Sequence, residues 1–168
     1  MELLQGKTFV VMGVANQRSI AWGIARSLHN AGAKLIFTYA GERLERNVRE
    51  LADTLEGQES LVLPCDVTND EELTACFETI KQEVGTIHGV AHCIAFANRD
   101  DLKGEFVDTS RDGFLLAQNI SAFSLTAVAR EAKKVMTEGG NILTLTYLGG
   151  ERVVKNYNVM GVAKASLE

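Results

Sequence analysis

Proline, paired cysteines and long apolar runs are scarce or missing in this chain of 168 residues. It contains one proline, and 46% of its residues are hydrophobic against 23% charged, which excludes a disordered or proline-rich linker region. Its three cysteines form no C-x-x-C pair and have no histidines at a matching spacing. This pattern argues against a disulfide framework or a zinc site, and for reduced thiols. We therefore expect a folded chain that binds no metal.

Signals for membranes, export and nucleic acid are also missing. No apolar stretch reaches the length of a membrane span, and the amino terminus lacks the basic and apolar regions of a signal peptide. The formal net charge of −5 creates no overall field that attracts phosphodiesters. We expect a soluble cytoplasmic protein with one domain over residues 1–168, and neither membrane nor nucleic acid as a partner.

Short apolar runs alternate with longer helical patterns along the chain. Near-continuous apolar and β-branched runs are typical of strands buried on both faces. The five runs are Thr8–Met12, Lys34–Tyr39, Ser60–Pro64, Ile87–Ala95 and Asn141–Tyr147. The helical patterns between them cover about Ser19–Ala31, Arg43–Glu56, Asp70–Val84 and Arg111–Glu138, and each precedes a glycine that would stop a helix. This alternation predicts an α/β fold, a doubly wound parallel sheet with helices on both faces.

Ligands of such sheets bind at the carboxyl ends of the strands, so the loops there are candidate sites. After the first strand, the segment "GVANQRSIAWG" provides Gly13 for a tight turn and Ser19, which could cap the helix or donate a hydrogen bond to a phosphate. Gly23 would let the following helix pack closely on the sheet. The usual G-x-G-x-x-G pattern is absent, so an ordinary strand-to-helix turn with a serine cap is the alternative.

The next two loops offer further candidate nucleotide contacts. The second strand ends without the acid that usually binds a ribose 2′-hydroxyl, but Arg43 or Arg46 could reach a 2′-phosphate. For Arg46, a solvated helix face is the favoured interpretation. After the third strand, the Asp66 carboxylate could accept a hydrogen bond from the adenine amino group while the Val67 backbone contacts the ring. An Asx turn is the favoured alternative for Asp66.

The segment "YNVMGVAKASLE" places Tyr157 and Lys164 seven residues apart. Seven helical residues turn through about 700°, so the two side chains would share a face, roughly 10 Å apart along the axis. An ammonium group near the phenol would lower the pKa of Tyr157, which would then act as a proton donor or an electrostatic clamp at neutral pH. The alternative is a surface tyrosine and a solvated lysine, but the position after the fifth strand favours a site.

With these residues in place, the sequence resembles the short-chain dehydrogenase/reductase superfamily. In detail it is similar to a divergent branch, the bacterial enoyl-acyl-carrier-protein reductases. Five segments match that branch in order, namely "GVANQRSIAWGIA", "CDVT", "HCIAFA", "TLTYLGGE" and "YNVMGVAKASLE". Typical members of the superfamily carry Tyr-x-x-x-Lys, whereas this chain has six residues between its tyrosine and lysine, and Tyr147 ten residues before Tyr157. The resemblance covers essentially the whole chain and implies a Rossmann-type fold.

The resemblance also implies individual roles. Tyr157 would hydrogen-bond the substrate carbonyl, Lys164 would hold the nicotinamide ribose and support Tyr157, and Tyr147 would be a second active-site tyrosine lining the substrate pocket. The residues that match cofactor contacts are Gly13, Ser19, Ile20, Asp66, Val67 and Ile94, while Ala97 matches a substrate-pocket position and Met160 borders the same pocket. The implied cofactor is NADH or NADPH, and Ala40, where the branch varies with cofactor preference, does not decide between them.

The activity implied by the resemblance is reduction of the trans-2 double bond of an enoyl thioester on acyl carrier protein, in bacterial type II fatty acid biosynthesis. Hydride goes to the β-carbon and negative charge develops on the more distant thioester oxygen. A proton donor must therefore lie further from the hydride acceptor than in a ketone reductase, and the longer tyrosine–lysine spacing is consistent with that demand. Related enzymes are usually homotetramers.

Two alternatives make different predictions. A typical short-chain carbonyl or alcohol oxidoreductase should carry a serine about thirteen residues before the tyrosine, where this chain has Thr144. A non-catalytic NAD(P)-sensing protein should have lost Tyr157 or Lys164, and both are present.

The final "KASLE" lacks a helix stop signal, and members of the family continue further. We therefore expect a carboxyl-terminal truncation, and poor activity or aggregation for a protein ending at Glu168.

Overall fold

The structure is a computed structural model that describes residues 3–57 and 59–168. It consists of two compact units, one formed by the described residues of 3–93 and by 128–144, the other by residues 94–127 and 145–168. The single domain expected over residues 1–168 stays a prediction. In the part of the chain that the structure describes, no helix is long and apolar enough to cross a membrane.

The first unit is built on a five-stranded parallel sheet with the strand order β3-β2-β1-β4-β5. The strands are β1 (Thr8–Met12), β2 (Lys34–Tyr39), β3 (Leu61–Pro64), β4 (Gly89–His92) and β5 (Asn141–Thr144). The order reverses at β1 and matches the first five strands of a dinucleotide-binding sheet, which confirms the predicted fold class. Both β4 and β5 end three residues before the predicted boundary, because the chain leaves the sheet where the candidate site begins.

The residues that the structure describes form six α-helices. They are α1 (Ile20–Asn30), α2 (Glu42–Ala52), α3 (Asp70–Glu83), α4 (Arg111–Gln118), α5 (Ser124–Ala132) and α6 (Asn158–Leu167). The single helix predicted over residues 111–138 is wrong, because a π-helical turn, Asn119–Phe123, separates α4 from α5 and the helix ends at Ala132. A π-turn spans one more residue than an α-turn, so the face presented by each side chain changes at this position.

The core of the first unit follows from the alternation of strand side chains. Val11 of β1 and Phe37 of β2 belong to a buried cluster with Trp22 of α1 and Val48 of α2. The neighbouring strand residue Val10 is also completely buried, so β1 is covered on both faces, as its continuous apolar run predicts. Right-handed crossovers place α1 and α2 on one face of the sheet and α3 on the other.

Gly13 ends β1 at the position where the strand order reverses. Its φ is +93°, and a methyl group on its Cα would overlap the carbonyl oxygen of Cys93, which follows β4. Only glycine satisfies both the left-handed conformation and this close approach. Gly23 differs, because nothing lies within 4 Å of the position its Cβ would take. The predicted close packing at Gly23 is therefore wrong for the described residues, since Gly23 is exposed and borders an open groove that Leu143 of β5 also lines.

These two glycines predict opposite effects of the same substitution. Gly13→Ala should lower the free energy of unfolding by about 2–4 kcal/mol, because it adds both backbone strain and a steric overlap. Gly23→Ala lies in the exposed interior of α1 and should raise it by about 0.5–1 kcal/mol. Urea denaturation of both variants beside the parent protein measures the two changes. A shift of the same sign and size in both would contradict the assigned role of Gly13.

Candidate functional site

The loop that follows Gly13 leads into α1 and presents backbone donors. Ser19 occupies the N-cap position, but its hydroxyl makes no capping hydrogen bond to α1. Instead it donates to the carbonyl of Asn16 and accepts from the amide of Ala15 at 3.4 Å. The serine side chain thus holds the loop, and the first turn of α1, which starts at Ile20, contains no acidic residue. Backbone amides in the first turn of a helix that no side chain caps can donate hydrogen bonds to a phosphate group.

The turn after β3 adopts one of the two predicted arrangements. Oδ1 of Asp66 accepts from the amide of Thr68 at 2.9 Å and from its hydroxyl at 2.7 Å, which is the Asx turn. The amide of Asp66 donates to Oε2 of Glu72 at 3.0 Å. Val67 is buried. A contact of Asp66 and Val67 with adenine stays a prediction.

The two candidate arginines differ in their partners. Arg46 forms an ion pair with Glu50 at 2.7 Å and its side chain is 84% exposed, as the solvated-face interpretation predicts. Arg43 lies in the first turn of α2 and is also exposed. Within residues 3–57 and 59–168, it takes part in no ion pair. Binding of a 2′-phosphate by Arg43 stays a prediction.

A buried histidine and a half-buried threonine join the ends of β4 and β5. Nδ1 of His92 and Oγ1 of Thr144 lie 3.1 Å apart, and the histidine is completely buried. Thr144 is the residue that stands where a typical carbonyl reductase would carry its serine. Its hydroxyl is bound to the histidine ring and holds the two strand ends together.

In the second unit, the two tyrosines after β5 lie against each other. The ring centroids of Tyr147 and Tyr157 are 4.9 Å apart, and the rings meet edge to face at 71°. Tyr157 is half-buried and occupies the N-cap position of α6, while Tyr147 is 50% exposed. The structure thus brings together the two tyrosines for which the resemblance implies active-site roles.

Glycines allow this arrangement, and their role was not predicted. A methyl group on Gly149 would overlap the ring of Tyr157, and one on Gly161 would lie 2.7 Å from the carbonyl oxygen of Gly149. The 3₁₀ turn Leu148–Gly150 therefore lies directly against α6. The available signal was the position of Gly161 four residues after Tyr157, since residues i and i+4 share a helix face.

Lys164 is not a solvated lysine. It is 6% exposed, and its Nζ donates to the carbonyl of Leu145 at 2.7 Å, two residues before Tyr147. Burial raises the pKa of Tyr157 above its ordinary value, and the neighbouring Tyr147 raises it further. The expected lowering of this pKa by the lysine is therefore wrong for this structure, because burial dominates and the ammonium is bound to a backbone carbonyl. Tyr157 is a protonated phenol at neutral pH.

The backbone on either side of Tyr157 is unusual. Asn156 and Asn158 have φ values of 61° and 26°, a region that residues other than glycine rarely occupy. The amide of the Asn158 side chain donates to the carbonyls of Lys103 and Gly104, each at 3.3 Å. Strained residues of this kind cluster at functional sites, where the surrounding structure fixes them. Here they fix the start of α6 and hence the position of Tyr157.

The predicted substrate-side residues also lie in the second unit. Ile94 and Ala97 are half-buried in the irregular segment 94–97 that follows β4, and Met160 is buried in α6. The amide of Phe96 donates to Oγ of Ser121 at 2.9 Å, and the same hydroxyl donates to the Phe96 carbonyl at 3.0 Å. Contacts of Ile94 with a cofactor, and of Ala97 and Met160 with a substrate, stay predictions.

Asp101 holds the next part of this connection and was not singled out by the sequence. It is buried, and its carboxylate accepts from the Ser110 amide at 3.0 Å and from Nδ2 of Asn98 at 3.2 Å. The bond from the Ser110 amide, which precedes α4, lowers the pKa of Asp101 below its usual range. A methyl group on Gly113 would overlap this carboxylate, so glycine is required opposite it.

Among the described residues, no group of three or more acidic, cysteine or histidine side chains is arranged to hold a metal ion.

Fold and site together define a class. A parallel sheet of this strand order, with a glycine at its switch point and a tyrosine and buried lysine after β5, is that of the short-chain dehydrogenase/reductase proteins. Within that class the chain belongs to the enoyl-(acyl carrier protein) reductase family, since the sequence profile of that family matches residues 13–168.

Individual relatives agree with this assignment. The chain is 70% identical over 165 residues to the NADH enoyl-[acyl-carrier-protein] reductase FabI of Bacillus subtilis, covering 98% of this chain and 64% of that protein. It is 58% identical, with the same coverage, to the NADPH enoyl-[acyl-carrier-protein] reductase FabI of Staphylococcus aureus. The chain thus spans 64% of the length of these curated relatives.

Solved structures give the same family. The enoyl-[acyl-carrier-protein] reductase (NADH) of Aquifex aeolicus matches with a TM-score of 0.94 and 46% identity, over 98% of this chain and 65% of that one. The enoyl-(acyl-carrier-protein) reductase of Anaplasma phagocytophilum, solved in complex with NAD, matches with a TM-score of 0.93 and 44% identity, over 98% and 63%.

Proposed function

We propose that the complete protein reduces the trans-2 double bond of an enoyl thioester with hydride from NADH or NADPH. The observation that carries this proposal is the arrangement of Tyr157. Its protonated phenol is held between Gly149 and Tyr147, seven residues before the buried Lys164. This is the spacing that distinguishes the enoyl-reducing branch from typical carbonyl reductases.

The residues of the first unit fit a dinucleotide. The uncapped first turn of α1, with Gly13 and Ser19 before it, supplies donors for a pyrophosphate. Asp66 and Val67 would contact the adenine. In the second unit, Ile94 would contact the cofactor and Lys164 would hold the nicotinamide ribose. When bound, the reduced nicotinamide supplies the hydride.

Tyr157 would act on the charge that develops during reduction. When the β-carbon of an enoyl thioester receives hydride, negative charge moves to the thioester oxygen. A phenol with a raised pKa stays protonated and donates a hydrogen bond to that oxygen, most strongly in the transition state. Protonation at the α-carbon then completes the reduction. Tyr147, Ala97 and Met160 would line the pocket for the acyl chain.

The carrier, the assembly and the compartment are part of the same proposal. Family membership and the names of the relatives support an acyl chain presented on acyl carrier protein, as in bacterial type II fatty acid biosynthesis. The resemblance to this branch supports a cytoplasmic homotetramer. Thr144 argues against carbonyl reduction, because it replaces the expected serine and its hydroxyl is bound to His92 at the ends of β4 and β5.

The test is oxidation of NADH and NADPH by the complete protein with crotonyl and longer enoyl thioesters. We expect thioester-dependent oxidation, and a roughly 10²-fold lower kcat in Tyr157→Phe, because one donor to the developing oxyanion is lost. Tyr39→Phe at the end of β2 removes a phenol elsewhere and should keep the wild-type kcat at saturating nucleotide. An absence of thioester-dependent oxidation with both nucleotides would sink the proposal. A wild-type kcat in Tyr157→Phe would remove the role given to Tyr157.

The different partners of the two arginines after β2 lead to a prediction about the affinity for NADPH. Arg43→Ala should weaken NADPH binding about tenfold, since a charge-assisted hydrogen bond to the 2′-phosphate is lost, and should leave NADH binding unchanged. Arg46→Ala is the matched control on the same helix, because Arg46 is paired with Glu50. Fluorescence titration of each variant with both nucleotides measures the four affinities. Equal loss for NADH and NADPH in Arg43→Ala, or equal loss of NADPH affinity in both variants, would exclude the assignment.

A further inference from the structure

We propose that Ser121 is a positioning residue, which fixes the backbone of segment 94–97 beside the helix that carries Tyr157. This inference rests on the proposed function, because Ile94 and Ala97 in this segment are the predicted nicotinamide-side and substrate-side residues. Ser121 has no exposed surface and no predicted contact with either ligand. Its effect would therefore pass entirely through the segment that it holds.

The first observation is a reciprocal pair of hydrogen bonds. Oγ of Ser121 accepts from the amide of Phe96 at 2.9 Å and donates to the carbonyl of the same residue at 3.0 Å. One hydroxyl thus satisfies both backbone polar groups of Phe96, as a strand partner would. Segment 94–97 lies beyond the last residue of β4, His92, and has no regular secondary structure. Beyond the end of β4, the Ser121 hydroxyl thus bonds the backbone amide and carbonyl that a neighbouring strand would otherwise bond.

The side chains of the segment do not explain how it is held. Ala95 is exposed and Phe96 is 50% exposed, so packing of these two side chains contributes little to fixing the backbone. Ile94 and Ala97 are only half-buried. The two hydrogen bonds of Ser121 are therefore the specific contacts that determine where this backbone lies.

The second observation is the π-turn that carries Ser121. The turn Asn119–Phe123 interrupts the helix between α4 and α5 and packs against α6. A π-turn inserts one residue into the helical repeat, and such turns are frequent at functional sites. Here the turn contacts the helix of Tyr157 and, through Ser121, the backbone of Phe96. The spacing between segment 94–97 and α6 thus depends on a single turn of helix.

The experiment compares Ser121→Ala with Ser124→Ala in the complete protein. Ser124 is equally buried three residues later, and its hydroxyl donates to the carbonyl of Ile120 in the same helix at 2.6 Å. Both variants remove one buried hydroxyl from the same stretch of chain, so both should lower the melting temperature. Only Ser121→Ala removes the bonds to Phe96.

Three readouts separate positioning from general stability. In the nucleotide-free protein, Ser121→Ala should speed amide hydrogen exchange in peptides covering residues 94–97, and Ser124→Ala should not. NADH or NADPH should bind Ser121→Ala about tenfold more weakly by fluorescence titration, and kcat/KM for the enoyl thioester should fall about 10- to 100-fold, since a small displacement of a positioning segment has effects of this size. Ser124→Ala should keep wild-type binding and kcat/KM.

Wild-type nucleotide affinity and kcat/KM in Ser121→Ala, or equal losses in Ser121→Ala and Ser124→Ala, would overturn the inference. If Ser121→Ala does not fold, Ser121→Cys keeps a similar volume with a weaker donor and should show the same exchange and binding changes in smaller measure. Wild-type values in that variant would also overturn it. A wild-type protein that binds nucleotide but oxidises none with thioester would refute the proposed function instead, and exchange and nucleotide binding would still decide the role of Ser121.

Discussion

The contact between Gly149 and the ring of Tyr157 determines the geometry of the second unit. Because Gly149 has no side chain, the turn Leu148–Gly150 lies directly on α6. This approach sets the ring of Tyr147 against Tyr157, and the same stretch of backbone presents the carbonyl of Leu145 to Lys164. Any larger residue at position 149 would separate these groups, so the chemistry of the site depends on an absent side chain.

The electrostatic state of Tyr157 follows from that packing. Burial and the neighbouring tyrosine raise the pKa of its phenol, so the group is protonated at neutral pH. A protonated phenol donates a hydrogen bond without first acquiring a proton, which suits the stabilisation of a developing oxyanion. The buried ammonium of Lys164 donates to a backbone carbonyl and does not lower the pKa of Tyr157. In the proposed function it would hold the nicotinamide ribose.

Local patterns in the sequence predicted most of the fold. The bounds of β1 and β2 match the apolar runs, because strands covered on both faces require continuous apolar residues. The pairing of Tyr147 with Tyr157 was predictable from the resemblance alone. The π-turn, the contact of Ser121 with Phe96 and the direction of the pKa shift were not, because each depends on which residues meet in three dimensions. The assignment of Gly23 failed for the same reason, since a glycine's role depends on what lies opposite its missing side chain.

The most direct test of the central claim follows the hydride itself. The complete protein would be incubated in ordinary water with an enoyl thioester and with NADH or NADPH carrying deuterium at both C4 positions of the nicotinamide. Reduction of the conjugated double bond predicts a saturated acyl thioester with deuterium at the β-carbon and a solvent proton at the α-carbon, located by mass spectrometry and NMR. Two results would contradict the claim. One is deuterium on C1, the carbon of the thioester carbonyl, in an aldehyde or alcohol product. The other is a saturated acyl thioester without the label.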